Sequence, residues 1–376
     1  MTAPPYPHLR VDLGAVEHNA ALMAAWAASH GAALTPHVKT TMSPEIVRLQ
    51  VEAGAERLTV ATVGQARTVL SWGYTSLLVA NEVVDVLALR QLRNWLESDL
   101  DIACFVDSPE GVALAQEVFA MSTRPLPVLA EVGVRGGRTG VRDKRSAHSL
   151  ARLVHSSPGL RLIGVAGYEG VVPNSRDGAT TRAVREHCRR TAETFTELAQ
   201  LCETPAPVLS MGGSAFPDIV VAETTGLVPD GVLALRSGCY VTHDHGTYAA
   251  VSPLTGLKPA ITVRAQVISA PEPGVVVLGA GKRELPHDAG LPVLLGAQSV
   301  TGAATAVTGG RVTTLYDHHA VVTGAPGLRV ADVAELGISH PCSAFGRWDS
   351  FLLTRDGRVT GTGYSYARPS HHVGDG

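Results

Sequence analysis

Lys39 stands in the segment Thr35-Pro36-His37-Val38-Lys39-Thr40-Thr41, at the close of a short apolar run that begins at Ala32. Pro36 disfavours a helical conformation at Thr35 and offers no backbone donor, so the segment reads as extended chain entering a site. A helix is expected from Ser43-Pro44-Glu45. The lysine then projects into whatever cavity the strand end lines. If desolvation or a neighbouring cation lowers its pKa, the free amine can attack a carbonyl and form a Schiff base; otherwise it is a solvated surface residue.

Three further groups have spacings that suit chemistry. Gly212-Gly213-Ser214 follows an apolar strand, and its N–H groups and hydroxyl can approach an anion such as phosphate closely; the same residues also suit an ordinary turn. Arg138, in Gly136-Gly137-Arg138-Thr139-Gly140, could hold a phenolate or carboxylate at a strand end or simply pair with a surface acid. In His340-Pro341-Cys342, residues i and i+2 of extended chain share a side, so an imidazole and a thiolate could converge on one ion such as zinc and leave open positions for water and substrate. The bland reading is a buried cysteine beside a chance histidine. His243-Asp244-His245 and Asp317-His318-His319 also have ligating types, but adjacent residues of extended chain face opposite ways, so at most one of His318 and His319 could join His340.

The elements that must position these groups change character along the chain. From Leu34 to about Leu235, short β-rich runs alternate with helical stretches. Expected strands include Arg57–Val60, Ser76–Ala80, Asp101–Val106, Pro127–Val132, Leu160–Val165 and Pro207–Ser210. Expected helices include Ser43–Glu52, Gly64–Ser71, Val84–Glu97, Pro109–Met121 and Thr180–Cys202. Repeated strand and helix units mean parallel strands joined by right-handed crossovers. Polar or glycine-rich residues follow many strand ends, among them Lys39, Asn81, Arg138, Tyr168 and Gly212, and this favours a closed (β/α)8 TIM-like barrel over an open doubly wound sheet. After about Tyr240, runs such as Ala260–Val267, Gly274–Gly279, Arg311–Leu315 and Phe351–Thr354 come with turns and no long helix, so a mainly antiparallel β domain is expected. The division placed on this pattern is 10–242 for the barrel and 243–376, with 1–9, for the β domain. Arg368–Gly376 reads as a frayed tail whose His371 and His372 are solvated.

With 376 residues, 45% hydrophobic and 17% charged, the chain can bury a large core. A formal charge of −3 without a basic cluster argues against a nucleic-acid partner. The N-terminal residues lack the pattern of a signal peptide and no apolar run is long enough for a membrane span, so a cytoplasmic protein is expected. Five scattered cysteines without CxxC pairs suit a reducing compartment.

Taken in order, Pro36-His37-Val38-Lys39-Thr40, Arg138-Thr139-Gly140, Tyr168-Glu169-Gly170, Gly212-Gly213-Ser214, Ser237-Gly238-Cys239-Tyr240 and His340-Pro341-Cys342 resemble the D-serine dehydratase and D-threonine aldolase family, fold-type III pyridoxal phosphate enzymes related to alanine racemase. The resemblance implies that Lys39 carries the cofactor and that Gly212, Gly213 and Ser214 hold its phosphate. It also implies that Arg138 lies near its phenolic oxygen, that Tyr168 lines the ring and that Tyr240 belongs to the cofactor site. His340 and Cys342 would bind a divalent metal, zinc or manganese, with His319 close by. A homodimer and a small D-amino acid substrate are implied as well.

The dehydratase branch pairs histidine with cysteine, so Cys342 points to dehydration of a D-β-hydroxy amino acid to an oxo acid and ammonia, with Lys39 as base. The alternative is aldolase cleavage to glycine and an aldehyde, but Asn174 stands where that branch has its histidine base. A racemase using Lys39 on one face and Tyr240 or another base on the other leaves the metal pair without a role, and a non-catalytic cofactor carrier leaves the β domain without one. Thr35 also departs from the family, where an arginine often precedes the Pro-His segment.

Overall fold

The computed structural model describes residues 5–228 and 230–368. His371 and His372, expected to lie in a solvated tail, fall outside them.

Eight parallel strands form one sheet, and their order around it is Ala32–Leu34, Val232–Leu235, Val208–Met211, Leu160–Gly167, Leu126–Val132, Asp101–Val106, Ser76–Glu82 and Leu58–Val60. The two outermost strands meet just beyond their ladders. His37 bridges to Thr59 in parallel, Thr59 N donates to Pro36 O at 2.9 Å, and the Thr59 hydroxyl donates to Thr35 O at 2.7 Å. The seam is therefore closed by the segment that carries Lys39, and the sheet is a barrel.

Strand-to-helix turns in the barrel are set by capping side chains. Thr62, Asp85, Ser108, Asp143 and Asp177 each accept a backbone N–H of the helix that follows, an arrangement worth about 1 kcal/mol per helix. The helices Pro44–Glu52, Val63–Ser71, Val86–Glu97, Pro109–Phe119 and Gly178–Leu198 match the expected ones to within a few residues. Alternation along the strands then sorts the core. Leu77, Val79, Ile102, Cys104, Val128 and Ala130 pack outward under the helices, whereas Leu78, Ala103, Phe105, Leu129, Ile163 and Ala166 form a separate cluster inside the barrel.

The second sheet has ten strands. Its long central strand, Ile261–Glu272, pairs antiparallel with Val333–Gly337 and with the N-terminal strand His8–Asp12, which runs parallel to Ser350–Arg355. Val275–Leu278, Ala320–Thr323 and Arg311–Leu315 extend it on another side. Asp12 ends the first strand and caps the helix Leu13–Ser29 through Gly14 N at 2.9 Å, so one residue hands the chain from the β sheet to the barrel. Among the described residues no helix is long and apolar enough to cross a membrane.

Candidate active site

A cavity of about 310 Å³ opens at the carboxyl ends of the barrel strands. Its walls include Lys39, Arg138, Tyr168, Gly212 and Gly213, all singled out from the sequence, together with His37, Asn81, Phe105, Glu131 and Arg236. The two-residue period accounts for part of this set. Phe105, Glu131 and Arg236 all fall at or just past strand ends with the inward parity.

Lys39 does not end a strand as expected. The strand stops at Leu34, and Val38–Thr40 is a single 3-10 turn that lifts the lysine over the barrel mouth. There the amine is accessible from the cavity yet walled in by protein. Desolvation lowers its pKa; the nearby Cys342 and Cys239 thiols pull it back up, and Arg138 and Arg236 push it further down. His37 is held neutral, well below the usual histidine range, by burial and by Lys39 beside it, and its Nδ1 has no hydrogen-bond partner.

The glycine turn and the tyrosine loop are built together. Gly212 N and Gly213 N donate to the two oxygens of Glu169 at 3.2 and 2.5 Å, and Ser237 Oγ donates to Gly213 O at 3.0 Å. A Cβ at Gly213 would stand 3.1 Å from the Tyr168 ring, so only glycine leaves this wall open. Arg138 lies over the Tyr168 ring, 4.7 Å from its centre, and burial raises the Tyr168 phenol.

Under this wall lies a buried charge system that the sequence reading passed over. The Arg236 guanidinium donates to Ser210 O and Ser210 Oγ, both at 2.9 Å, and to Gly167 O at 2.7 Å, and it sits 5.2 Å from the centre of the Phe105 ring. Glu131 faces the same lumen with Oε2 unpartnered. Burial, then Glu131 itself, pushes the Glu82 carboxyl up to about 8. The available signal was position: a lone carboxylate at or next to the end of each of the strands Ser76–Glu82 and Leu126–Val132, and an arginine directly after the strand Val232–Leu235.

The remaining expected residues lie around the cavity. The Ser214 hydroxyl is behind the glycine turn and accepts from Tyr240 N at 3.3 Å. The Tyr240 phenol does not face the cavity: it is buried in the core, accepting from Gln50 Nε2 at 3.0 Å, because its turn directs the backbone rather than the side chain toward Ser214. His340 is extended, but Pro341–Ser343 is a 3-10 turn, so the residues do not share a strand face. That turn packs against the turn carrying Lys39. Cys342 Sγ lies 3.2 Å from Cys239 Sγ, a contact that lowers Cys239 to about 7 and raises Cys342. His340 Nδ1 meets Asp288 at 2.7 Å, and Ser343 Oγ donates to the other Asp288 oxygen at 2.9 Å. Among the described residues, no three His, Cys, Asp or Glu side chains converge closely enough to hold a metal.

His243 and His245 flank Asp244, whose carboxylate accepts Gly246 N, Tyr248 N and Ala249 N and so fixes the start of the short helix Thr247–Val251. Asp244 therefore has a structural role at this helix start, while Nδ1 of His243 and of His245 is without a hydrogen-bond partner. His319 is exposed, and the place beside His340 is taken by Asp288.

A closed parallel barrel with a lysine at its mouth, joined to an antiparallel β domain, defines a fold-type III architecture. Residues 11–216 match the family described as alanine racemase, N-terminal domain, and 260–354 match the putative serine dehydratase domain. The chain belongs to this family, and the resemblance read from its motifs holds. It is 28% identical to the D-threonine aldolase of an Arthrobacter species over 94% of this chain and 90% of that protein. It is 27% identical to the D-threo-3-hydroxyaspartate dehydratase of Delftia sp. strain HT23 over 94% and 95%. The crystal structure of D-threonine aldolase from Filomicrobium marinum superposes with a TM-score of 0.83 at 25% identity, covering 97% of this chain and 95% of that one. These relatives are lyases of the pyridoxal phosphate fold-type III family.

Proposed function

We propose that the chain is a pyridoxal phosphate- and divalent-metal-dependent lyase that dehydrates a D-β-hydroxy amino acid to an oxo acid and ammonia. The observation that carries this reading is the convergence of Lys39, Arg138, Tyr168, Gly212 and Gly213 on one cavity, with the Cys342 turn packed against the Lys39 turn.

The residues fit the cofactor. The two glycine N–H groups already donate to carboxylate oxygens of Glu169, which is the donor chemistry a phosphate needs, and the same amides would hold one. Lys39 would anchor the aldehyde carbon, Gly212, Gly213 and Ser214 the phosphate, and Arg138 and Tyr168 the ring, while Tyr240 would serve through its backbone N–H. When bound, pyridoxal phosphate supplies the electron sink that makes the Cα–H of an amino acid acidic. The partly desolvated Lys39 amine then has the free electron pair to take that proton.

His340, with Nδ1 engaged by Asp288, would offer Nε2, and Cys342 its sulfur on giving up the thiol proton; this donor pair suits zinc and also admits manganese. A divalent metal there would supply Lewis-acid help for departure of the β-hydroxyl. Asn174 is exposed and does not line the cavity, so no base stands where the aldolase branch has its histidine, which supports dehydration. The aldolase reading keeps one specific support, the match to D-threonine aldolase along the chain. With the Tyr240 phenol in the core, racemisation loses Tyr240 as its second base. The reading places the barrel at 10–242 and the β domain at 243–376 with 1–9, in a cytoplasmic homodimer.

Incubation with pyridoxal phosphate, zinc or manganese, and D-threonine decides the branch. Formation of 2-oxobutanoate and ammonia, lost on chelation, is the expected result; metal-dependent glycine and acetaldehyde would select the aldolase. Absence of both, with no absorbance of a lysine-bound cofactor, would overturn the reading.

A further inference from the structure

Cys239 has no part in the chemistry above, yet its sulfur is 3.2 Å from that of Cys342, across 103 residues of chain. Cys239 is buried in the turn Cys239–Val241 that follows a barrel strand, and Cys342 is exposed in the turn Pro341–Ser343 of the β domain. Among the described residues, Cys104, Cys188 and Cys202 have no thiol neighbour. Reaching the sulfur–sulfur bond length of about 2.05 Å requires the pair to close by only about 1 Å. Both sulfurs are carried on isolated 3-10 turns, outside the strand ladders that would resist the movement.

We propose that Cys239 and Cys342 are a redox pair that forms a reversible disulfide on reaction with a small-molecule disulfide such as oxidised glutathione. The exposed Cys342 attacks one sulfur of the reagent, its proton passing to the departing small thiolate, and a mixed disulfide and one small thiol result. Cys239 gives its proton to solvent and attacks Cys342 Sγ, and the second small thiol leaves. Two protein thiols are oxidised and one reagent disulfide is reduced to two thiols. The bond ties the barrel to the β domain beside Lys39. On the reading of Cys342 as a metal ligand given above, it also removes that ligand, so the metal site is open only in the reduced chain. Disulfides of reducing compartments are commonly of this transient, sensing kind.

The test uses the full chain after chelation of bound metal, treated with oxidised glutathione and analysed by peptide mass mapping without reductant. The expected product is a Cys239–Cys342 cross-linked peptide pair that dithiothreitol reverses, with two glutathione thiols released per chain. In Cys239→Ser, Cys342 should stay capped as the mixed disulfide and release only one. A wild-type chain that retains glutathione on Cys342 with Cys239 free, or that links neither, overturns the proposal. Zinc uptake by the oxidised chain is measured alongside. Uptake lost on oxidation and regained on reduction supports both the pair and the metal role of Cys342. Unchanged uptake by a chain shown to be cross-linked leaves the redox pair standing and removes Cys342 from the metal site.

Discussion

Replacing Gly212 by alanine puts a number on the cradle. Gly212 has a φ of +94°, and a Cβ there would lie 2.7 Å from Leu235 Cδ2, a side chain fully buried in the adjacent barrel strand. The left-handed backbone alone costs roughly 1–2 kcal/mol for an alanine. Displacing a packed leucine adds about 1–3 kcal/mol, so Gly212→Ala should lose about 2–5 kcal/mol. Gly226 is a matched control: its φ is +81° and nothing lies within 4 Å of an added Cβ, so Gly226→Ala carries the backbone cost alone. Thermal unfolding of the apo chain should show the midpoint falling by several degrees more in Gly212→Ala than in Gly226→Ala, at about 2–4 °C per kcal/mol for a large domain. Titration with pyridoxal phosphate should show affinity lowered about tenfold or more in Gly212→Ala, equivalent to about 1.4 kcal/mol, and unchanged in Gly226→Ala. Equal midpoint shifts would mean that Leu235 gives way freely. Unchanged cofactor affinity in Gly212→Ala would refute the anion cradle.

Three further outcomes follow from the buried groups. Glu82 is raised from 4.5 to about 8, so the folded chain keeps a proton that the unfolded chain releases. Its stabilising effect is complete below pH 4.5 and is lost as pH rises through about 8. Glu82→Gln should flatten this dependence, and urea midpoints that fall equally with pH in both proteins would contradict it. Arg236→Met strands the buried acceptors Ser210 O, Ser210 Oγ and Gly167 O beside Glu131 and should cost about 3–5 kcal/mol, with Arg236→Lys in between; a methionine variant as stable as wild type in chemical denaturation would show that the guanidinium is not needed. Asp288→Asn removes the carboxylate that orients His340, and competition with a chromophoric chelator should find zinc affinity reduced about 10–100-fold; unchanged affinity would remove Asp288 from that role.

The sequence was sufficient where local chemistry decides the outcome. Alternating strand and helix patterns located most barrel elements, and the glycine turn, Lys39, Arg138 and Tyr168 were legible because each follows an apolar run at the end where loops gather. Other features depend on residues distant in sequence. Barrel closure rests on Thr59 meeting Pro36 and His37, and the first strand belongs with residues 261–272 and 350–355, pairings that no period within a short window can encode. Burial of the Tyr240 phenol and replacement of the expected His340 and Cys342 strand face by a 3-10 turn followed from how the two sheets pack. Glu131 and Arg236 looked like ordinary strand residues until closure turned their shared parity into a common lumen, and an irregularity in the Ser76–Glu82 strand brings Glu82 beside Glu131; low solvation perturbs the ionisation of Glu82 and Arg236. The sequence by itself determined which groups could do chemistry and the order of the elements that carry them. Only the tertiary structure decided which groups share a cavity, because closing a sheet and docking a second one bring together side chains hundreds of residues apart and remove water from between them.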